Sequence, residues 1–158
     1  MKIEEALKTN KFKSDQHKAM LNVMFTASWL RGQVISKLKE YGISQEQYNV
    51  LRILRGSHPN SLCAKDITDR MIDKNSNTTR IMDKLIKKGC INKCRGEIDR
   101  REVNISITET GLELLRQIDQ QEAIDKPNYI NLSDAEAGLL SALLDKLREE
   151  EESVTNYQ

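Results

Sequence analysis

Between residues 75 and 80 the chain reads Asn75-Ser76-Asn77-Thr78-Thr79-Arg80. Five short hydrogen-bonding side chains stand together with one guanidinium. At the start of a helix such groups can donate to, and accept from, base edges in the DNA major groove. The free backbone N–H groups of the same first turn favour phosphate. One of Asn75 and Ser76 is expected to cap the helix, leaving the others to face out. Lys84, Lys87 and Lys88 follow further along. They can reach phosphates, although a solvated face explains each lysine equally well. A second basic group, Arg95, Arg100 and Arg101, surrounds Asp99. Arginine suits the narrow minor groove, where the negative potential is enhanced. Asp99 is read as support for this segment, pairing with an arginine and fixing the tip.

Those residues need elements to hold them. Residues 15–40 read as one long helix, capped by Ser14 or Asp15, with Leu21, Met24, Phe25, Ser28, Ile35 and Leu38 near helical spacing. Gly42 supplies the stop. Ser44 and Gln47 have capping-box spacing and open a helix to about residue 55. Tyr48, Leu51 and Leu54 share one of its faces. A turn at 56–60 precedes a short helix over 64–71, with Ile67 and Met71 inward. The next helix, over 76–88, places Ile81, Leu85 and Ile86 inward, and Gly89 ends it. Beyond Gly89 the period changes from 3.6 to 2. Val103, Ile105 and Ile107 alternate with polar residues, the mark of a half-buried strand. Residues 91–94 are its expected partner, with 95–101 as the hairpin tip. A helix over 112–123 follows, then Pro127. A last helix opens at the Ser133–Glu136 capping box and carries Leu139, Leu140, Leu143, Leu144 and Leu147 as a stripe.

The expected fold is mainly α with a small β-hairpin wing: a winged helix-turn-helix lobe flanked by N- and C-terminal helices. The expected division is residues 1–40, 41–111 and 112–158. A helix-turn-helix followed at once by a basic hairpin suits duplex DNA.

Charge agrees. The 158 residues carry a formal net charge of +1. Residues 52–101 nevertheless hold 13 basic and 6 acidic side chains, net +7, whereas 109–158 hold 4 and 12, net −8. A basic centre beside an acidic tail calls for an anionic partner at the centre, although an ordinary solvated surface gives the same count. No apolar run approaches the ~20 residues of a membrane helix. Met1-Lys2-Ile3-Glu4-Glu5 lacks the apolar core of an export signal, so a cytoplasmic protein without membrane contact is expected.

Three blocks, in order, resemble the MarR (multiple antibiotic resistance regulator) family of bacterial transcription factors. Tyr41-Gly42-Ile43-Ser44 with Gln47-Tyr48-Asn49-Val50-Leu51 is similar to the opening of that family's second helix. Asn77 to Ile91 is similar to its recognition helix. Asp99-Arg100-Arg101 and then Ile107-Thr108-Glu109-Thr110-Gly111 resemble its wing. Gly96 and Ile98 depart from the pattern, standing where prolines are common. The resemblance implies a homodimer on a pseudo-palindromic operator, with first and last helices interlocked and repression as output. It implies that Asn77, Thr78, Thr79 and Arg80 face the major groove, that Arg101 enters the minor groove and that Asp99 supports the wing. It further implies a small aromatic or phenolic effector between the terminal helices and the DNA lobe. Trp29 lies on the first of those helices, with packing as its expected role.

Three rival readings are weaker. An enzyme lacks a motif: His17 and His58 are isolated, and no nucleophile elbow, phosphate loop or paired carboxylate is present, so no catalytic residue is assigned. A metal or redox site would draw on Cys63, Cys90 and Cys94, but Cys90 and Cys94 lack finger spacing and a second close pair. Buried structural thiols are expected, with neither metal nor cofactor. A redox role requires an exposed thiol near a cation. A winged helix used for protein contacts would not need the polar start of the recognition helix or three wing arginines; a nonspecific DNA-binding protein is the remaining alternative.

Overall fold

The computed structural model describes residues 1–95, 103–120 and 131–149, with the side chain of Arg95 outside that set. The chain divides into two compact units, residues 1–124 and 125–158.

The first unit starts with α1 (Ile3–Leu7) and α2 (Asp15–Leu38). The Ser14 side chain accepts from the His17 amide and starts α2. The helix is shorter than its sequence pattern, because residues 39–41 tighten into a 3₁₀ turn before Gly42 at φ 64°. Only Leu38 of α2 is buried. The apolar positions Met20, Val23, Met24 and Ile35, and also Trp29, stay 37–62% exposed on the single chain. Met24 and Ile35, which recur near helical spacing in the sequence, are thus not covered within one chain.

Next comes α3 (Gln45–Ser57), held by the expected capping box. The Gln47 amide donates to Ser44 Oγ at 3.2 Å, and the Ser44 amide donates to Gln47 Oε1 at 3.0 Å. Val50, Leu51 and Leu54 are fully buried, and α3 packs against α2, against β3 (Val103–Ile107), and against α4 (Ala64–Arg70), α5 (Thr78–Lys87) and α6 (Glu109–Gln120). It is the central post of the lobe. Fully burying a leucine of this kind is worth about 1.5–3 kcal/mol.

Two short strands complete a sheet of order β1-β3-β2, antiparallel throughout: β1 (Leu62–Cys63), β2 (Ile91–Arg95) and β3. The sequence pattern does not reveal β1, since two residues are too few to show a period. Ile91 lies opposite Ile107, and Leu62 opposite Ile105, so the alternating isoleucines close the core from below. Thr108 starts α6 three residues earlier than the apolar pattern implies. Its hydroxyl donates to the Gly89 carbonyl at 2.6 Å and accepts from the Gly111 amide at 3.2 Å.

The second unit contains α7 (Asp134–Arg148), opened by the Ser133–Glu136 capping box. Leu139, Leu140, Leu143 and Leu147 are 45–63% exposed on the single chain. No helix among the described residues is long and apolar enough to cross a membrane.

Candidate nucleic-acid interface

The predicted recognition helix is α5, and it begins two residues later than its sequence implied. Asn77, not Asn75 or Ser76, is the cap: its Oδ1 accepts from the Arg80 amide at 3.0 Å. The preceding turn is held by Asp73, whose Oδ1 accepts from the Asn75 amide at 3.0 Å and whose carbonyl accepts from the Ser76 amide at 3.3 Å. A side chain committed to the turn at Asp73 thus sets where the helix can start.

Thr78, Met82 and Leu85 are buried, at spacings of four and three. That stripe decides which residues face away. Asn77, Thr79, Arg80, Lys84 and Lys87 are exposed, as is Asn75 in the turn. Thr78 departs from its predicted role. It is only 6% exposed, and its hydroxyl donates back to the Ser76 carbonyl at 3.4 Å. Ser76 is half-buried, and its Oγ has no hydrogen-bond partner among the described residues. It borders a crevice between α3 and α5 whose other walls include Glu46, Gln47, Asn77, Arg80 and Lys84.

Two lysines are committed elsewhere. Lys88 Nζ donates to the Gly42 carbonyl at 2.6 Å, tying the end of α5 to the start of α3 and removing Lys88 from the phosphate candidates. Lys93 Nζ lies 3.5 Å from Asp83 Oδ1, joining strand β2 to the outward side of α5. Sequence reasoning missed this pair, because nothing local connects residue 83 with residue 93. Arg95 ends β2. Asp99, Arg100 and Arg101 lie outside the described residues.

The three thiols differ from one another. Cys90 is buried, and burial pushes its thiol up from its ordinary pKa, opposed by the nearby Lys88 charge. Cys63 and Cys94 are half-buried, which the expectation of three buried thiols did not anticipate. Cys63 Sγ accepts from the Asp66 amide at 3.4 Å and starts α4. Cys94 Sγ donates to the Asn104 carbonyl at 3.4 Å. Among the described residues, no group of three or more His, Cys, Asp or Glu is placed to hold a metal ion.

The sequence model of the family described as Transcriptional regulator SarA/Rot matches residues 33–118. The chain belongs to that family. The SarA/Rot match runs from within α2 into α6 and so contains α3, α4, α5 and the three strands. MarR-family regulators share the fold. A variant of MarR from Escherichia coli, solved in complex with operator DNA, superposes with a TM-score of 0.74 at 19% identity, covering 89% of this chain and 100% of that one. AbsC from Streptomyces coelicolor gives 0.74 at 18% identity, covering 87% and 95%. Among sequence relatives, the transcriptional repressor MprA of Escherichia coli K12 is 31% identical over 81 residues, 51% of this chain and 46% of MprA. The HTH-type regulator PapX of Escherichia coli is 31% identical over 108 residues, 68% of this chain and 66% of PapX. The chain therefore matches about half the length of MprA and two thirds of PapX.

Proposed function

We propose that this SarA/Rot-family chain is a sequence-specific, duplex-DNA-binding transcriptional regulator acting in the cytoplasm as a homodimer, and not an enzyme. The observation that carries this reading is the outward side of α5. A buried Thr78–Met82–Leu85 stripe fixes the helix, so Asn77, Thr79, Arg80 and Lys84 project together from a rigid core. Short amides, hydroxyls and a guanidinium at a helix start are the chemistry that reads base edges. The solved MarR relative with operator DNA supports the placement of duplex DNA on this lobe.

In this reading Asn77, Thr79 and Arg80 contact bases, while Asn75 and Lys84 approach the backbone. Ser76 and Thr78 shape the turn beneath them. Arg95, Arg100 and Arg101 supply the wing's minor-groove contacts, supported by Asp99. The exposed apolar positions of α2 and α7 are the faces that a second copy covers. Residues 1–40 and 112–158 would thus serve dimerisation, and 41–111 DNA. Repression is the favoured output, in line with the name of MprA. An aromatic or phenolic effector, as in MarR-like regulators, would act by preferring a spacing of the two lobes that does not fit the operator.

The test is to incubate purified protein with a randomised duplex library at stated salt and sequence what it retains. Salt is stated because phosphate contacts make affinity steeply dependent on ionic strength. An enriched inverted repeat supports the reading. Retention without enrichment leaves a nonspecific binder. No retention at low salt overturns it and favours protein contacts.

A further inference from the structure

We infer that Asp119 is a positioning residue: its carboxylate clasps α6 to α3 and so sets the direction in which the chain leaves the DNA-binding lobe. In the dimer that direction fixes the separation of the two recognition helices. The inference rests on the function proposed above.

Asp119 stands in the last turn of α6. Arg55 Nη1 on α3 donates to its Oδ2 at 2.5 Å, and Arg52 Nη1 lies 3.6 Å from its Oδ1. The Arg52 and Arg55 side chains are half-buried at 33% and 29% exposure, and Asp119 is exposed at 36%. Arg52 is itself held, donating to Tyr48 Oη at 3.1 Å with its guanidinium 5.8 Å from the Tyr48 ring centre. Tyr48 is buried in the core. Two residues before Asp119 on α6, the Gln117 carbonyl accepts from Tyr41 Oη at 3.4 Å. The clasp therefore runs from the core, through Tyr48 and Arg52, to the end of α6.

Apolar packing of Leu115 and Ile118 already seats α6 on the lobe. Such packing is non-directional. Charged hydrogen bonds from guanidinium to carboxylate fix orientation instead. Small angles matter at this place. A 12-residue helix is about 18 Å long. A swing of roughly 10° then moves its end by about 3 Å, close to the rise of one base pair. An exposed ion pair contributes little to stability. Its effect here is expected in geometry, which separates it from an ordinary surface contact.

The experiment compares wild type, Asp119→Asn, Arg55→Gln and the exchanged pair Arg55→Asp with Asp119→Arg. Affinity is measured on the selected inverted repeat with its spacer at the optimum and one or two base pairs longer or shorter, and on a single half-site. Thermal melting confirms that each variant is folded. For Asp119→Asn and Arg55→Gln, discrimination between the best and neighbouring spacers is expected to fall about fivefold or more, with half-site affinity kept within about twofold. The exchanged pair should recover part of the discrimination. Unchanged spacer preference in both single variants overturns the inference while leaving the proposed function standing. Equal losses on half-site and full site also overturn it, because they indicate a structural role only. A wild-type protein that selects no inverted repeat overturns the proposed function, and the clasp's role with it.

Discussion

Arg80 and Lys84 lie one helical turn apart on the outward side of α5, yet they are expected to fail differently. Arg80 sits in the first turn, beside the cap, where base edges come within reach. Arg80→Ala should cost about 1–3 kcal/mol on the selected operator and relax preference at one position of it. Lys84 lies further along the helix, so Lys84→Ala should weaken all duplexes alike and lower the salt slope by about one. Titrations of specific and random duplex at several salt concentrations separate the two. The same six-residue run shows what a sequence displays and what it hides. The donor set at 75–80 is legible because residue types alone define it. Which member turns inward is not, because the helix phase depends on where the cap sits. Asp73 holds the turn and moves the cap to Asn77, and that shift sends Thr78 into the core. The pair Asp83–Lys93 and the Asp119 clasp are equally invisible in the sequence, since each joins residues that only the fold brings together.

The junction of α5, β2 and α6 depends on one close approach. A Cβ on Gly111 would lie 2.3 Å from the Cys90 carbonyl oxygen and 2.8 Å from Ile107 Cγ1. Backbone cannot step aside there, because Thr108 bonds both to Gly89 and to Gly111. Gly111→Ala should therefore destabilise the lobe by about 1–3 kcal/mol or more, read from chemical denaturation. α7 carries a different sensitivity. The Ser133 amide and hydroxyl both donate to Glu136, and these bonds hold the Glu136 carboxyl below its usual pKa of 4.5. A lowered folded pKa means a contribution that is present above the unfolded value and is lost as pH falls through the lowered one. Titration of the carboxyl by NMR should show the lowered midpoint, and Glu136→Gln should remove the acid-sensitive part of the capping. Both capping boxes were legible from spacing alone, as was the strict alternation of β3. The two-residue β1 was not, because it is too short to show a period and exists only by pairing with β3.

The apolar inventory of the molecule exceeds what one chain buries. Leu139, Leu140, Leu143 and Leu147 on α7 stay exposed, as do Met20, Val23, Met24 and Ile35 on α2. Contiguous exposed apolar surface marks an interaction site. The sequence stripes on both helices were read correctly as periodic. Periodicity alone, however, cannot show what a stripe packs against, and a partner's helices entered the sequence reading only through the family resemblance. Leu143→Lys combined with Leu147→Lys should shift the protein toward monomer in sedimentation. It should weaken binding to the full inverted repeat far more than to a half-site.

Hydroxyl-radical footprinting of the wild-type protein on its selected duplex tests the central claim most directly. Two recognition helices on a twofold axis should protect two patches on one face of the duplex, with centres about 10 bp apart. Both patches should fade together in Arg80→Ala. A single patch, or uniform protection along the duplex, would contradict the account of a dimer reading two half-sites through α5.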